Sequence, residues 1–442
     1  MPVSIFQFVL FLLTGMTLIF VLTIRYRIPA FYSLMLASLV VGMGLEIPAA
    51  EIITQMKDGF GNIMKSLGFI IVLGTALGLL LAHTGSSTVM AEFILHLVGE
   101  KNASLGISIT GFIVGLPIFC DSGYIVLSGL NESISKRSGT PIMITSISLA
   151  TGLLSVHCLI PPHPGATAAA ATLGVDYGKL ILSGICIAIP AMFTGYIWAR
   201  YAGKKIPVAT REEKSDPITQ RTYPSVYKSF LPVFVPIILI AAKSFLVLEK
   251  SVHGTGLNLL AFLGDPVIAL SIGVLLAFLN GTSWKRAEVS SLLSEAAEKA
   301  GSILVIIGAG GAFGAVLSAG KIGEHFSHVF PLGSMALLFP FLLTSILKTA
   351  QGSSTVAIIT SSSIVLPLLP ALGLDTESGK LLCVLSMGAG SMIISHANDA
   401  YFWVIAKFSG LEMNAMLKVY SLATLLMGIV SFAAVWLLSL FL

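Results

Sequence analysis

Charged residues are scarce in this chain: aspartate, glutamate, lysine and arginine make up 10% of its 442 residues, against roughly a quarter in soluble domains. Apolar runs of about 18 or more residues instead recur from end to end. A basic stripe with interleaved aromatic residues is missing, which argues against nucleic-acid binding. The composition therefore predicts a polytopic membrane protein whose partner along most of its surface is the lipid bilayer.

Several motifs that carry chemistry are also missing. The cysteines are scattered singly in apolar surroundings, at Cys120, Cys158, Cys186 and Cys383, without disulfide or zinc spacing. There is no Walker A pattern, no H-E-x-x-H pattern and no nucleophile–base pairing. We therefore expect neither ATP-driven transport, nor an enzyme, nor a metal or cofactor. A sodium site made of backbone carbonyls stays open, because it needs no distinctive side chain.

A single polar connection divides the chain into two halves of similar length. Residues 203–227 are rich in charged side chains, and we interpret them as a cytoplasmic linker between a first repeat, 1–202, and a second, 228–442. Weak internal similarity supports the division, since "GTALGLLLAHTG" (74–85) resembles "GGAFGAVLSAG" (310–320). Repeated halves with matched interrupted segments are typical of secondary transporters.

Each half contains two interrupted apolar segments in the same order. Polar, glycine-containing breaks predict re-entrant hairpins at about 103–138 and about 332–370. Breaks at histidine predict broken helices at about 140–175 and about 379–410. The sequence thus predicts an all-α polytopic membrane protein of two inverted repeats, with about ten transmembrane helices, two re-entrant hairpins and broken helices.

The charge distribution predicts an orientation in the membrane. Five spans in each half, an odd number, invert the second half relative to the first. With the linker in the cytoplasm, most lysines and arginines fall on the inside, as the positive-inside rule requires, and both termini lie outside. The predicted spans are roughly 6–24, 28–46, 66–83, 140–175, 179–202, 228–248, 264–281, 300–319, 379–410 and 416–441.

Non-helical backbone survives at membrane depth only when it is buried in protein or lines a watery cavity. Four interrupted segments therefore predict one internal cavity with half-helix N-termini aimed into it, a setting that suits an anion. Asp121, one of two carboxylates deep in apolar sequence, is predicted either to exchange a proton or to cap the second hairpin helix; the two roles are compatible.

The segment "HCLIPPHPG" (157–165) brings two histidines into the first broken helix. Histidine titrates in the physiological range, so both side chains are candidates for proton transfer or substrate contact, or they only shape the loop. His163 is flanked by Pro162 and Pro164, which hold its backbone away from a helix. We expect His163 to make the contact and His157 to support it.

The second half supplies a lone buried cation and a run of hydroxyls. Lys348 needs a counter-charge from a substrate carboxylate or from Asp121, unless its ammonium extends to the membrane surface. The residues that follow it, 351–355, and the segment 395–399 offer donors to a carboxylated or hydroxylated ligand. Some of these hydroxyls instead bond their own helix, and Asn398 and Asp399 are also candidate caps.

Taken together, these motifs resemble the gluconate permease family, the bacterial gluconate:proton symporters and their relatives for other sugar acids and D-serine. The resemblance covers essentially the whole chain and is carried by "GFIVGLPIFCDSGYIVL" (111–127), "HCLIPPHPGATAAAATLG" (157–174), "GDPVIAL" (264–270), "VIIGAGGAFGAVL" (305–317), "QGSSTVAIIT" (351–360) and "SHANDAYFWV" (395–404). The chain departs from the family pattern at Ser122, where an apolar residue is frequent, and at Lys348, where many members carry arginine.

The resemblance implies proton-coupled uptake of a sugar acid such as gluconate across the bacterial inner membrane, by a protein that is commonly a homodimer. The alternatives are a proton symporter of D-serine or another small hydroxy or amino acid, a sodium-coupled carboxylate transporter, and a sensor or channel. Proton coupling is assigned to Asp121 and His163. Substrate binding is assigned to Asp121, Ser122, Gly123, His157, His163, Lys348, Gln351, Gly352, Ser353, Ser354, Thr355, Ser395, His396, Asn398 and Asp399.

Overall fold

The computed structural model of the protein describes residues 5–99, 102–205, 223–248, 255–281, 284–320, 336–396 and 399–442. Regular structure in these residues is entirely helical, as predicted. The helices are α1 Ile5–Phe20, α2 Ala30–Gly44, α3 Ala49–His83, α4 Ser86–Val98, α5 Ala103–Gly115, α6 Cys120–Ser138, α7 Ile142–Leu159, α8 Pro164–Leu173, α9 Tyr177–Ala202, α10 Val226–Leu248, α11 Thr255–Leu263, α12 Pro266–Phe278, α13 Arg286–Ala319, α14 Leu338–Gln351, α15 Ser354–Val365, α16 Glu377–Gly390, α17 Ala400–Ser409, α18 Met413–Met416 and α19 Leu422–Leu438. Most of the predicted linker lies outside the described residues, as does the start of the predicted hairpin at 332–370.

Six helical segments of the described chain are long and apolar enough to cross a membrane. They are Ala49–His83, Ile142–Leu173, Tyr177–Ala202, Val226–Lys243, Arg286–Leu317 and Met413–Leu438. Shorter apolar helices, among them Ala103–Gly115, Leu338–Thr349 and Ser354–Leu368, accompany these six. The protein is therefore an all-helical membrane protein, and the predicted count of about ten spans stays a prediction.

The helices α3 and α13 are longer than the apolar runs inside them. The sequence predicts spans at 66–83 and 300–319, whereas the helices begin at Ala49 and Arg286. The added turns of α3 are polar, yet they carry a buried stripe at helical spacing through Ile52, Met56 and Ile63. Because α3 and α13 pack against each other along their length, the extension is stabilised by one buried face rather than by overall hydropathy.

Two helical hairpins form where polar breaks interrupt the apolar sequence. The first hairpin consists of α5 and α6, joined at residues 116–119. The second hairpin consists of α14 and α15, joined at Gly352 and Ser353. Gly352 has φ = +83°, a left-handed conformation that costs glycine little, and it ends α14 there. The turn is tight because Gly352, which has no side chain, adopts the conformation that reverses the chain direction.

Two further apolar segments are broken near the middle. The first broken helix consists of α7 and α8, with residues 160–163 extended or turned between them. Its second half starts at Pro164, where the missing N–H costs nothing because the first turn leaves that group unpaired anyway. The second broken helix consists of α16, which ends at Gly390, and α17, which begins at Ala400.

The two halves of the chain pack through matched elements. In the first half α8 packs against α15 of the second hairpin, and in the second half α17 packs against α6 of the first hairpin. Likewise α3 contacts α12, and α13 contacts α2. Each broken helix thus inserts its second half against the opposite hairpin, which brings all four interruptions to one place.

Glycines allow the first hairpin to approach the first broken helix closely, and we expect Gly152→Ala to destabilise the protein by about 1–3 kcal/mol. A Cβ at Gly152 would collide with the backbone oxygen of Ser108 in α5, which has no flexible side chain to move aside. Thermal unfolding of purified protein measures the effect. Gly129→Ala is the control, since nothing lies within 4 Å of its Cβ position, and a loss of stability equal to that of Gly152→Ala would contradict this account of the α5–α7 contact.

Candidate functional site

A cavity of about 330 Å³ lies where the hairpins and broken helices meet. This volume is within the usual range of small-molecule sites. Its walls come from the first hairpin, both broken helices, the second hairpin and α13. The lining residues are Phe119, Cys120, Asp121, Leu154, His157, Pro164, Ile303, Ile306, Gly352, Ser353, Ser354, Thr355, Val356, Ile359, Asp399, Ala400 and Tyr401.

Four helix N-termini converge on this cavity. The helices α6, α8, α15 and α17 begin at Cys120, Pro164, Ser354 and Ala400, and all four residues line it. Each N-terminus carries partial positive charge and backbone N–H groups without an intrahelical partner. Four positive ends around one cavity make it a site for an anion, and the sequence predicts this geometry from its four interruptions.

Two of the four N-termini are capped by side chains and two are open. The Ser353 hydroxyl accepts a hydrogen bond from the Val356 N–H at 3.3 Å. The Asp399 carboxylate accepts one from the Tyr401 N–H at 2.9 Å. The cap residues of α6 and α8, Phe119 and His163, supply no side-chain acceptor. The first-turn N–H groups of these two helices are therefore the ones available to a ligand.

Lys348 and Asp399 form a buried ion pair beside the cavity. The Lys348 Nζ lies 2.6 Å from the Asp399 Oδ2, and their side chains are 1% and 9% exposed. Lys348 also donates to the Gly352 carbonyl at 2.5 Å, and Asp399 accepts from the Ser395 hydroxyl. The counter-charge of Lys348 is thus Asp399, whereas the sequence suggests a substrate carboxylate or Asp121. Because the pair cancels its own charge, it adds little net field to the cavity.

Asp121 faces the cavity from the first turn of α6. The hydrogen-bond partner found for its carboxylate is the thiol of Cys120, whose Sγ lies 3.7 Å from Oδ1. In the part of the chain that the structure describes, no lysine, arginine or histidine forms an ion pair with it. A half-buried carboxylate without a cation is costly when ionised.

The two histidines of the first broken helix form a hydrogen-bonded pair. Their Nδ1 atoms lie 3.2 Å apart, and the Nε2 of His163 lies 2.7 Å from the Gly115 carbonyl oxygen. His157 lines the cavity, with its Nε2 3.4 Å from the Thr355 hydroxyl. His163 is fully buried behind it. The structure therefore places His157 in the position of contact and His163 in the position of support, the reverse of the expectation from sequence.

The predicted site residues divide into those at the cavity and those around it. Residues at the cavity are Asp121, His157, Gly352, Ser353, Ser354, Thr355 and Asp399. Residues near it that do not line it are Ser122, Gly123, His163, Lys348, Ser395 and His396. Gln351 ends α14, and Asn398 lies outside the described residues.

The residues around the cavity have other partners. Ser122 lines a separate small pocket against α3, and Gly123 packs close to Leu153. Ser395 donates to Asp399, and the Nε2 of His396 lies 2.9 Å from the Thr349 carbonyl. In this conformation these side chains shape the site rather than line it.

Ten of the lining residues are not among the predicted site residues, and Phe119, Tyr401, Ile303 and Ile306 are four of them. Phe119 lies at the turn of the first hairpin, and Tyr401 donates its hydroxyl to the Ala150 carbonyl at 3.1 Å. Ile303 and Ile306 come from α13, just before and within the quoted segment 305–317, none of whose residues is assigned to the site. Phe119 and Tyr401 lie within the quoted segments 111–127 and 395–404, next to helix starts that the sequence predicts. The isoleucines carry no signal, because apolar residues in a span look alike.

A metal centre finds no support in the described chain. Among those residues there is no group of three or more histidine, cysteine, aspartate or glutamate side chains arranged to hold a metal ion. Asp121, Asp399 and His157 share the cavity, but Asp399 is already engaged by Lys348, Ser395 and the Tyr401 N–H.

Comparison with known proteins decides the family. The family model described as GntP family permease matches residues 7–441. The chain belongs to this family. It is similar to a gluconate permease of Pseudomonas aeruginosa, with 30% identity over 430 residues that cover 95% of each chain. It is also similar to the D-serine transporter DsdX of Escherichia coli, with 28% identity and 97% of each chain covered.

A solved structure shares the fold. The YdaH transporter of Alcanivorax borkumensis, whose crystal structure is described as having an unusual topology, matches with a TM-score of 0.67. The match covers 93% of this chain and 98% of that one, at 15% sequence identity. Because the chain belongs to a family of permeases, it is a membrane transporter and not an enzyme, as its sequence predicts.

Proposed function

We propose that this permease takes up a sugar acid such as gluconate together with protons across the bacterial inner membrane. The convergence of four helix N-termini on one cavity is the observation that carries the proposal, because it offers positive potential without a free cation. The similarity to a gluconate permease supports the choice of substrate.

The lining groups suggest how such a substrate is held. Its carboxylate accepts from the open first-turn N–H groups of α6 and α8. Its hydroxyls meet Ser353, Ser354 and Thr355 at the start of α15. The Ser354 hydroxyl donates to the Ser391 carbonyl at 2.8 Å, so its oxygen is left to accept from a substrate hydroxyl. The Lys348–Asp399 pair fixes α17 against the second hairpin.

Asp121 is the proposed site of a coupled proton. An ionised Asp121 would repel the substrate carboxylate in the same cavity, and its protonation removes that repulsion. Proton and substrate therefore favour each other's binding, which is the thermodynamic requirement for symport. The proton is released when the site opens to the cytoplasm and the substrate leaves.

The matched packing of the two halves suggests the transport movement. We treat residues 1–202 and 228–442 as inverted repeats joined by a cytoplasmic linker, with both termini outside. The hairpins and the second halves of the broken helices form a moving core. The long helices α3 and α13 belong to a scaffold, which we expect to form the interface of a homodimer. Movement of the core against the scaffold exposes the cavity to each side in turn.

D-serine or another small amino or hydroxy acid is the second candidate substrate. The similarity to a D-serine transporter favours it, because that protein matches over nearly the same length. The helix N-termini would bind its carboxylate in the same way. Sodium in place of the proton would be a further difference in coupling, and it is tested by replacing sodium with potassium on both sides of the membrane.

A carboxylate is required for binding, so gluconate is expected to raise the unfolding temperature while sorbitol, which has the hydroxyls without the carboxylate, is not. At a concentration of 100 times Kd the stabilisation is about 2.7 kcal/mol. Thermal unfolding in detergent with each compound, and with D-serine, measures this. Equal stabilisation by sorbitol would overturn the anion site, and stabilisation by D-serine alone would replace gluconate with the second candidate.

A further inference from the structure

His157 and His163 form the pair of histidine rings that the described residues place together beside the cavity, and their hydrogen bonds determine which nitrogen carries a proton. The Gly115 carbonyl can only accept, so the Nε2 of His163 carries hydrogen. In the neutral ring the Nδ1 of His163 is then an acceptor, and His157 donates to it from its own Nδ1. The remaining nitrogen, the Nε2 of His157, is left with a lone pair.

This lone pair is directed toward the ligand space. Thr355, at the start of α15, is the neighbour of the His157 Nε2 at 3.4 Å, and both residues line the cavity. A hydroxyl can donate to the lone pair, whereas a carboxylate cannot. In its neutral form the pair thus presents an acceptor to an anionic substrate, which disfavours binding.

Addition of one proton to the pair turns the His157 Nε2 from a hydrogen-bond acceptor into a donor. A proton from solvent that adds to the His157 Nε2 gives the pair one positive charge, and no other bond has to break. The hydrogen between the two Nδ1 atoms can stay on His157 or move to His163, and in both cases the His157 Nε2 keeps its hydrogen and donates. The charged pair then binds the substrate carboxylate through a charge-assisted hydrogen bond.

The charged and titratable groups around the pair come from both hairpins and both broken helices. From the first hairpin, Asp121 and Cys120 face the same cavity; from the second broken helix, Asp399 and Tyr401 do. Lys348 of the second hairpin is bound to Asp399, so those two charges compensate each other. Cys158 is adjacent in sequence and buried. Asp121 is therefore the uncompensated carboxylate at the cavity, and once it is protonated the substrate carboxylate is the anion that the charged pair faces.

We propose that the Nε2 of His157 is a second proton site, distinct from Asp121, and that the protonated Nε2 donates a hydrogen bond to the carboxylate of the substrate. His163 is a positioning residue, since its bond to Gly115 holds the ring that orients His157. This inference rests on the proposed function and deepens it. One of the protons taken up with the substrate is held on His157, in direct contact with the substrate carboxylate.

Proton uptake on substrate binding tests the inference. Detergent-solubilised protein is mixed with gluconate in weak buffer, and a pH-sensitive dye counts protons taken up per substrate bound between about pH 6 and about pH 8. We expect His157→Gln to lower the count, Asp121→Asn to lower it separately, and the double variant to abolish it. His96→Gln is the control, because that histidine is exposed on α4 and outside the cavity.

The role of His163 has its own signature. His163→Gln is expected to weaken gluconate binding about tenfold, since a hydrogen bond to a charged group loses its alignment. The number of protons taken up per substrate should stay at the wild-type value. A fall in that number would show that His163 binds the proton itself and would overturn its assignment as a positioning residue.

A measurement on the unmutated protein covers the case in which the His157 variant does not fold. In ¹⁵N-histidine-labelled protein, gluconate is expected to convert one Nε2 resonance from the unprotonated to the protonated position. Unchanged histidine resonances, or a folded His157→Gln protein with the wild-type proton count, would overturn this inference and leave the transporter proposal standing. A wild-type protein that binds neither gluconate nor D-serine would instead overturn the proposed function, and the inference with it.

Discussion

Replacing Lys348 with methionine is expected to destabilise the protein by about 3–5 kcal/mol, because it leaves the Asp399 carboxylate buried without its cation. Asp399 is 7% exposed and caps α17, so the damage extends to the helix N-terminus at the cavity. Thermal unfolding in detergent measures the loss. We also expect gluconate binding to be lost, since the position of α17 depends on the pair.

Two further variants show whether the loss of stability comes from the unpaired Asp399 charge or from nonspecific destabilisation. Lys179 forms an ion pair with Glu377 whose side chains are 29% and 69% exposed, so Lys179→Met should cost no more than about 1 kcal/mol. The double variant Lys348→Met, Asp399→Asn removes the unpaired charge and should recover part of the lost stability. If Lys348→Met were as mild as Lys179→Met, the buried pair would not hold the site together.

Asp121→Asn is expected to lower the gluconate accumulation ratio about tenfold for an inward gradient of one pH unit. Each coupled proton contributes about 1.4 kcal/mol per pH unit, which is a factor of ten, and an amide cannot carry that proton. Substrate binding should persist or strengthen, since the amide removes the negative charge from the cavity. Proteoliposomes with an imposed pH gradient measure the ratio.

The control for Asp121 is a carboxylate outside the site. Asp375 lies exposed in the loop before α16, and Asp375→Asn should leave accumulation unchanged. An Asp121→Asn protein that accumulates gluconate as steeply as the wild type would remove Asp121 from the coupling mechanism. Loss of substrate counterflow as well would show that the residue is needed for binding or folding rather than for the proton.

Most of the architecture of the site can be predicted from the sequence, because prolines and polar residues mark the places where the apolar helices are interrupted. The prolines of "HCLIPPHPG" and the polar residues of "SHANDAYF" interrupt runs that are otherwise uniformly apolar, and the structure breaks both helices there. A helix that starts inside a membrane protein must direct its N–H groups to a cavity or to caps. The meeting of four such starts therefore follows from the order of the motifs.

Contacts between residues that are distant in the sequence cannot be predicted in the same way. Lys348 and Asp399 are 51 positions apart, and nothing local distinguishes Asp399 from Asp121 as the partner. His157 and His163 are six positions apart, yet which one faces the cavity depends on where the chain turns after α7. The polar N-terminal extension of α3 becomes stable only through its contact with α13, so hydropathy alone starts the predicted span too late.

Proton-driven accumulation is the most direct test of the whole account. Radiolabelled gluconate uptake is followed in proteoliposomes with an inward proton gradient, with no gradient, and with the gradient collapsed by a protonophore. The account predicts internal gluconate above the external concentration in the first case and simple equilibration in the other two. Equal uptake in all three conditions, or accumulation that follows a sodium gradient instead, would contradict it.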